Sequence, residues 1–487
     1  MNKKVILIVF ALIVFSAGTM WVVDYSPLQD YPQQLFRTQI LTNLDNPKFD
    51  FGQNYKVNWS PVPYLLPDLI MVLFNIITNL EIAGKLLLTL YVILFPLSVF
   101  YFIKSVKPEN TYLGFLSFIL TFNWYYFAGF INYCLGLTIL FFALGYWFKT
   151  EIKSTKNIVI LSLAMILLYF SHIIAFAIFC LAIIIKLIIE KKVELTKRTI
   201  IAILPAIVFF LIFIFNAIFD GKSSAGNFTY EYTNNIIQNM FIFSLGGLSE
   251  ITFYAALIGV SLLLVLFLIG LVKSGIRKDN WFAIMSLLCF VLYFLLPLKI
   301  YDVGTNVKWG FINIRFIIPA IIFLIPAINI TLSEKIKKII IAIIILITIF
   351  GIASIYVESS VHSNEISNYV SGIDYINENP KILPLLLSCE NCNFVEPLRH
   401  AWAYYIIEKG GRSEYFFRSE KAYIVSPIYE KISAPREYYP EEYNSEKHAE
   451  YYDYVITWGS NTNIFEEIEK DFKLKYSKDK LRVYGKS

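Results

Sequence analysis

The segment Asp24-Tyr-Ser-Pro-Leu-Gln-Asp30-Tyr-Pro-Gln-Gln34-Leu-Phe-Arg37 places two carboxylates directly behind an apolar run. A carboxylate at such an edge can take a proton from a hydroxyl or ligate a metal ion, and partial removal of water raises its basicity. Asp30 is the first candidate for that chemistry. It has a structural alternative, because Asp is favoured as a helix N-cap and Pro32 suits a first helical turn. Asp24 stands second, either as the base itself or as a solvated charge at the membrane interface.

Two cationic or ionisable groups could complement a carboxylate. Arg315, in Lys308-Trp-Gly-Phe-Ile-Asn-Ile-Arg315-Phe-Ile-Ile-Pro319, opens an apolar span. A guanidinium there either snorkels to anchor the helix end or forks onto a phosphate, with Lys308 as a weaker helper. His172 falls within a long apolar stretch, where an ionisable group is costly unless paired. It is either satisfied by a neighbouring helix or a contact to phosphate or acceptor. In Phe122-Asn-Trp-Tyr-Tyr-Phe-Ala-Gly129-Phe-Ile-Asn132-Tyr the aromatics read as an interfacial belt, and Gly129 and Asn132 as cavity-lining positions. That loop has no Asp or Glu, so it offers no second carboxylate for a metal.

The elements that must hold these residues are membrane helices. Of 487 residues, 57% are hydrophobic and 16% charged, with a mean hydropathy of +0.59. This composition excludes a soluble domain. The net charge of +5 comes from short basic clusters between apolar runs, which read as topology determinants and not as a nucleic-acid surface. About eleven spans are predicted, near 5–23, 86–103, 111–127, 130–148, 157–170, 172–189, 199–219, 251–272, 281–298, 316–332 and 339–357. The first is too long for a typical signal-peptide core and lacks a cleavage site, so it reads as a retained helix.

Residues 61–80 are apolar but carry Pro63, Pro67, Asp68, Asn75 and Asn79. A span there would reverse every later loop, whereas a surface helix within an outer loop of residues 24–85 puts nearly every basic cluster on the cytoplasmic side. Residues 157–189 have basic flanks at both ends, so the chain should turn back near Ser171-His172 and leave from the side it entered. Residues 1–357 thus form a transmembrane unit of a polytopic α-helical membrane protein. Residues 358–487 form a small α/β domain on the extracytoplasmic side, with helices near 365–378 and 399–408 and strands near 382–387, 454–458 and 481–484.

Cys134, Cys180 and Cys289 fall in spans and read as packing residues. Cys389 and Cys392 lie in the external domain. They fit a disulfide in an oxidising compartment, a zinc site completed by two further ligands such as His400 and His448, or free thiols. No glycine-rich nucleotide loop is present.

This layout resembles the GT-C superfamily of membrane glycosyltransferases, which includes protein mannosyltransferases, oligosaccharyltransferases and the lipid A aminoarabinose transferase. The resemblance covers the whole chain in architecture and is carried by Gln29-Asp30-Tyr31-Pro32, Gly129-Phe-Ile-Asn132-Tyr, Tyr169-Phe-Ser-His172 and Arg315-Phe-Ile-Ile-Pro319. A related group shows Asp-x-Pro-x-His, where this chain has Gln34 in place of histidine. The resemblance implies a polyprenyl-phosphate-linked sugar as donor, an unidentified acceptor, a cytoplasmic-membrane location and transfer with inversion. It assigns the base to Asp30, with Asp24 second, and the donor phosphate to Arg315, His172 and Lys308. Gln34, Arg37 and Asn132 would line the acceptor cavity, without a metal or other cofactor. Two other classes compete: a transporter or lipid flippase, which would show inverted repeats and broken midplane helices, and a non-catalytic envelope-assembly protein, which would tolerate loss of Asp30 and Arg315.

Overall fold

The computed structural model describes residues 3–190, 193–219, 228–274, 280–302, 308–388, 394–417, 423–430, 432, 434–435 and 439–486. Within them, five helices are long and apolar enough to cross a membrane: Leu80–Val106, Ile131–Thr150, Glu194–Asn216, Glu250–Lys273 and the one starting at Glu334. Shorter apolar helices, Lys3–Gly18, Thr155–Ser171, Ile173–Glu190, Trp281–Leu295 and Ile317–Ala327, pack into the same core. The expected span 111–127 is the exception, since it is broken into a 3₁₀ stretch Pro108–Phe115 and two short helices, Leu116–Thr121 and Trp124–Phe127. The cause is local. Asn123 is extended, and its side chain accepts from the Tyr126 N–H at 3.2 Å, which starts a new turn in place of continuing the old helix.

The turn expected near Ser171-His172 is present: His172 has extended backbone (φ −162°, ψ 124°) between Thr155–Ser171 and Ile173–Glu190. Residues 61–80 contain the helix Leu65–Ile77, whose 13 residues reach about 20 Å, short of a ~30 Å hydrocarbon core. It buries Pro67, Asp68 and Met71 against the bundle and exposes Leu73, Ile76 and Ile77. A helix that hides its acid and shows its apolar side is arranged for a lipid-facing surface. Thr78 ends this element, and Asn79 caps the next, accepting from the Ile82 N–H at 2.9 Å.

The helix Glu334–Val370 does not stop at the expected boundary near 357 but runs on to Val370, 37 residues in all. Beyond it lies a five-stranded sheet in the order Arg412–Ser413, Lys381–Leu386, Tyr454–Trp458, Leu481–Lys486, Phe472–Lys478. The first two pairings are parallel and the last two antiparallel. All three expected strands appear in it. Two smaller sheets are not legible in the sequence. One joins Phe228–Glu231, Lys299–Asp302 and Lys308–Gly310. The other pairs Tyr55–Val57 antiparallel with Val425–Pro427 and so stitches the first long loop to the C-terminal part. Around this stitch Phe36 packs on Tyr55, Trp402 and Phe416 with ring centroids 5.5, 6.3 and 5.3 Å apart. Such pairs add about 0.5–1.5 kcal/mol each beyond area burial, and they fix the helix Tyr31–Asn43 that carries the candidate base.

Candidate active site

Asp30 stands at the N-cap position of Tyr31–Asn43, yet its side chain makes no capping hydrogen bond. The carboxylate is therefore turned to other partners: Oδ1 lies 3.3 Å from His400 Nε2 and 3.4 Å from Gln29 Nε2. Backbone contacts from the broken span hold it there. The Gln29 and Asp30 N–H groups donate to the Phe127 and Ala128 carbonyls at 2.9 and 3.2 Å, and the Gln34 side-chain amide donates to the Gly129 carbonyl. Gly129 is required for this approach. It has φ +83°, and a Cβ on it would come within 2.7 Å of the Asp30 nitrogen and 2.9 Å of the Asp30 Cβ.

Arg37, two turns along the same helix, was expected to reach an acceptor cavity. Instead its Nε and Nη2 donate to the two oxygens of Asp68 at 3.1 and 3.0 Å, in a pair whose side chains are only 5% and 1% exposed. The Tyr423 ring lies 4.3 Å from the guanidinium carbon. Burial alone would lower the guanidinium pKa, but Asp68, with smaller contributions from Tyr423 and Asp30, raises it. Burial pushes the Tyr423 hydroxyl up to about 12, against the opposing charge of Arg37.

Arg315 has different surroundings. Its Nη1 donates to the Gly310 carbonyl at 2.9 Å, and its guanidinium carbon sits 5.2 and 5.9 Å from the Phe130 and Tyr133 ring centroids. Nε is buried and has no hydrogen-bond partner among the described residues. His172 belongs to the same cluster, with ring centroids 4.9 Å from Tyr64 and 5.1 Å from Tyr133. Its Nδ1 accepts from the Ile174 N–H at 3.2 Å, so the neutral ring carries its proton on Nε2. That nitrogen too is buried without a partner among the described residues. Tyr64 is held at φ +77°, a left-handed conformation that a tyrosine adopts at a cost, and this sets its ring over His172. Burial raises the Tyr64 hydroxyl while the nearby Arg315 charge opposes the rise. Tyr64 and Tyr423 rings lie 6.4 Å apart, which links this cluster to the Arg37 side.

Asp24 is exposed, and its charge acts on Tyr25, whose hydroxyl is raised first by burial and then by Glu81 and Asp24. The Asn132 carbonyl accepts from the Ser171 hydroxyl at 2.9 Å, which ties the His172 turn to the Ile131–Thr150 helix. Lys308 opens the strand Lys308–Gly310, whose last carbonyl holds Arg315; its side chain lies outside the described residues. Cys389 and Cys392 lie outside them as well. Among the described residues no cluster of three or more His, Cys, Asp or Glu could hold a metal ion, and the buried carboxylate Asp68 is taken up by Arg37. Sequence reasoning missed His400, Gln33, Tyr64 and Tyr423 as parts of this region. Asp68 carried a legible signal, an acid inside an apolar helix.

No protein-family model and no curated protein sequence matches the chain. Among solved structures, ArnT from Cupriavidus metallidurans in the apo state is similar over 99% of this chain and 98% of its own, with a TM-score of 0.58 and 9% identity. ArnT from the same organism bound to undecaprenyl phosphate is similar over the same shares, with a TM-score of 0.56 and 9% identity. The polypeptide therefore shares the fold of these ArnT structures, and its long apolar helices are those of a multi-pass membrane protein.

Proposed function

We propose that the protein transfers a sugar from a polyprenyl-phosphate donor to a hydroxyl acceptor outside the cytoplasmic membrane. The observation that carries this reading is a pair of buried N–H donors unmatched among the described residues, Arg315 Nε and His172 Nε2, in one aromatic-walled cluster. Two unmatched donors call for an oxygen-rich anion, and the GT-C fold is shared with a protein solved in complex with undecaprenyl phosphate. In the reaction Asp30 takes the acceptor hydroxyl proton while that oxygen attacks the anomeric carbon. The bond from that carbon to the phosphate oxygen breaks, the polyprenyl phosphate leaves as an anion stabilised by Arg315 and His172, and the single displacement inverts the centre.

The test is sugar transfer from a synthetic polyprenyl-phosphate sugar into membrane acceptors, with variants matched for expression and thermal stability. Asp30→Asn is expected to lose about a hundredfold or more, the range for a positioned base. Asp24→Asn is expected to stay near wild type; a selective loss there moves the base to Asp24, and full activity in Asp30→Asn rejects the reading. The orientation belongs to the same proposal, since the basic loops assign the C-terminal region to the outside. Ser105→Cys should resist an impermeant thiol reagent in intact cells and Glu450→Cys should react; the reverse pattern would place the site on the wrong side of the membrane.

A further inference from the structure

His400 reaches Asp30 from the far end of the chain, and the network behind it fixes which nitrogen carries the proton. The Gln33 side-chain oxygen accepts the Phe417 N–H at 3.0 Å, and its amide nitrogen donates to the Tyr415 carbonyl at 3.1 Å. Turning that amide over would set oxygen against oxygen and N–H against N–H, so its orientation follows from two backbone groups. The same amide nitrogen lies 3.0 Å from His400 Nδ1. Nδ1 must therefore accept, and the proton of the neutral ring sits on Nε2, 3.3 Å from Asp30 Oδ1. Phe417 packs edge-on against the imidazole, with centroids 5.1 Å apart at 78°, and holds its plane. The side chains of His400 and Asp30 are 3% and 14% exposed, so water competes weakly for this contact. Gln29 also addresses Oδ1, which leaves Oδ2 as the oxygen available to a hydroxyl proton.

We propose that His400 is a positioning residue for Asp30: a neutral imidazole, set as the Nε2–H tautomer by Gln33, holds Oδ1 so that Oδ2 meets the acceptor hydroxyl. This rests on the base role of Asp30 proposed above and deepens it, because it makes the C-terminal region part of the catalytic arrangement. His400 gives up no proton in the reaction, and the proton removed from the acceptor ends on Asp30.

Two measurements test it. The chain has four histidines, so ¹⁵N-histidine NMR of the protein in liposomes can resolve each ring. The signal lost in His400→Gln should show a neutral Nε2–H tautomer in the wild type and should shift in Asp30→Asn. An Nδ1–H tautomer, a doubly protonated ring at neutral pH or no response to Asp30→Asn overturns the proposal without bearing on the transferase reading. In kinetics, His400→Ala should lower kcat about tenfold or more, the scale of one hydrogen bond to a charged group, with the donor KM unchanged. His400→Gln should restore part of the loss, and adding His400→Ala to Asp30→Asn should cost nothing further. Wild-type kcat in His400→Ala, or a multiplicative loss in the double variant, overturns the positioning role while the base role stands. Full activity in Asp30→Asn removes both. Should His400→Ala fail to fold, the tautomer measured in the wild type decides.

Discussion

Arg37, in the helix Tyr31–Asn43, is buried, and Arg315, just ahead of the helix Ile317–Ala327, is part-buried; both pack on aromatic rings, yet their donors are treated differently. Arg37 meets the two oxygens of Asp68 and lies against Tyr423. Arg315 has a carbonyl, two ring faces and an Nε that nothing described accepts from. A buried cation already matched by a carboxylate is a structural pin between two helices, whereas one with a donor unmatched among the described residues is, in the function proposed above, the one that meets the donor phosphate. The types of the two residues are identical. Their functions are separated by what each finds within hydrogen-bond distance.

The largest effect expected from this contrast is at the pin. Arg37→Ala leaves Asp68 buried and uncompensated and should destabilise the fold by about 3–5 kcal/mol, read as a fall in Tm in detergent. Replacing both partners, Arg37→Met with Asp68→Leu, should recover most of that stability. An unchanged Tm in Arg37→Ala together with a raised donor KM would erase the distinction. Next, Arg315→Ala should leave the unfolding free energy within about 1 kcal/mol of wild type, as for an arginine that packs without a carboxylate partner, and should raise the donor KM roughly tenfold to a hundredfold. Arg315→Lys should restore only part, because an ammonium cannot reproduce the fork. Equal turnover of wild type and Arg315→Ala at limiting donor would reject the phosphate contact.

The smallest effect concerns Tyr423. Its hydroxyl is raised to about 12 in the fold from about 10 in the unfolded chain, so the folded state holds a proton that the unfolded state has lost between those values. Stability from this group is unaffected below pH 10 and falls as pH rises from 10 to 12. Tyr423→Phe should make Tm fall less steeply across that window. Arg37 adds nothing to that slope, since its raised pKa keeps it charged throughout.

What was legible in the sequence was whatever is set by local pattern. The surface helix Leu65–Ile77, the break at His172 and the strands of the C-terminal sheet follow from apolar run length, flanking charge and alternation. The span 111–127 failed because run length cannot see Asn123 capping a new turn inside an aromatic stretch. Asp30 was legible as a candidate, but its neighbour His400 was not. That contact joins residues some 370 positions apart through the sheet pair Tyr55–Val57 and Val425–Pro427, and no motif records it. The pairing of Arg37 with Asp68 was not legible for the same reason: the acid stood out inside its apolar helix, but nothing local named an arginine on another helix as its partner.

The uninterrupted Glu334–Val370 helix also sets a phase. Its 37 residues measure about 55 Å, and each residue turns the chain by about 100° as it advances about 1.5 Å. Everything after Val370, including His400, inherits an azimuth from where that helix leaves the bundle. One residue inserted near position 358 would swing the downstream sheet by more than a quarter turn, away from the Asp30 loop. Four inserted residues would bring it nearly full circle, displaced mainly along the helix by about 6 Å. The helix thus acts as a protractor between the Asp30 loop and the sheet that follows it, and a change in its length would disturb the proposed Asp30–His400 arrangement more than a change on its surface.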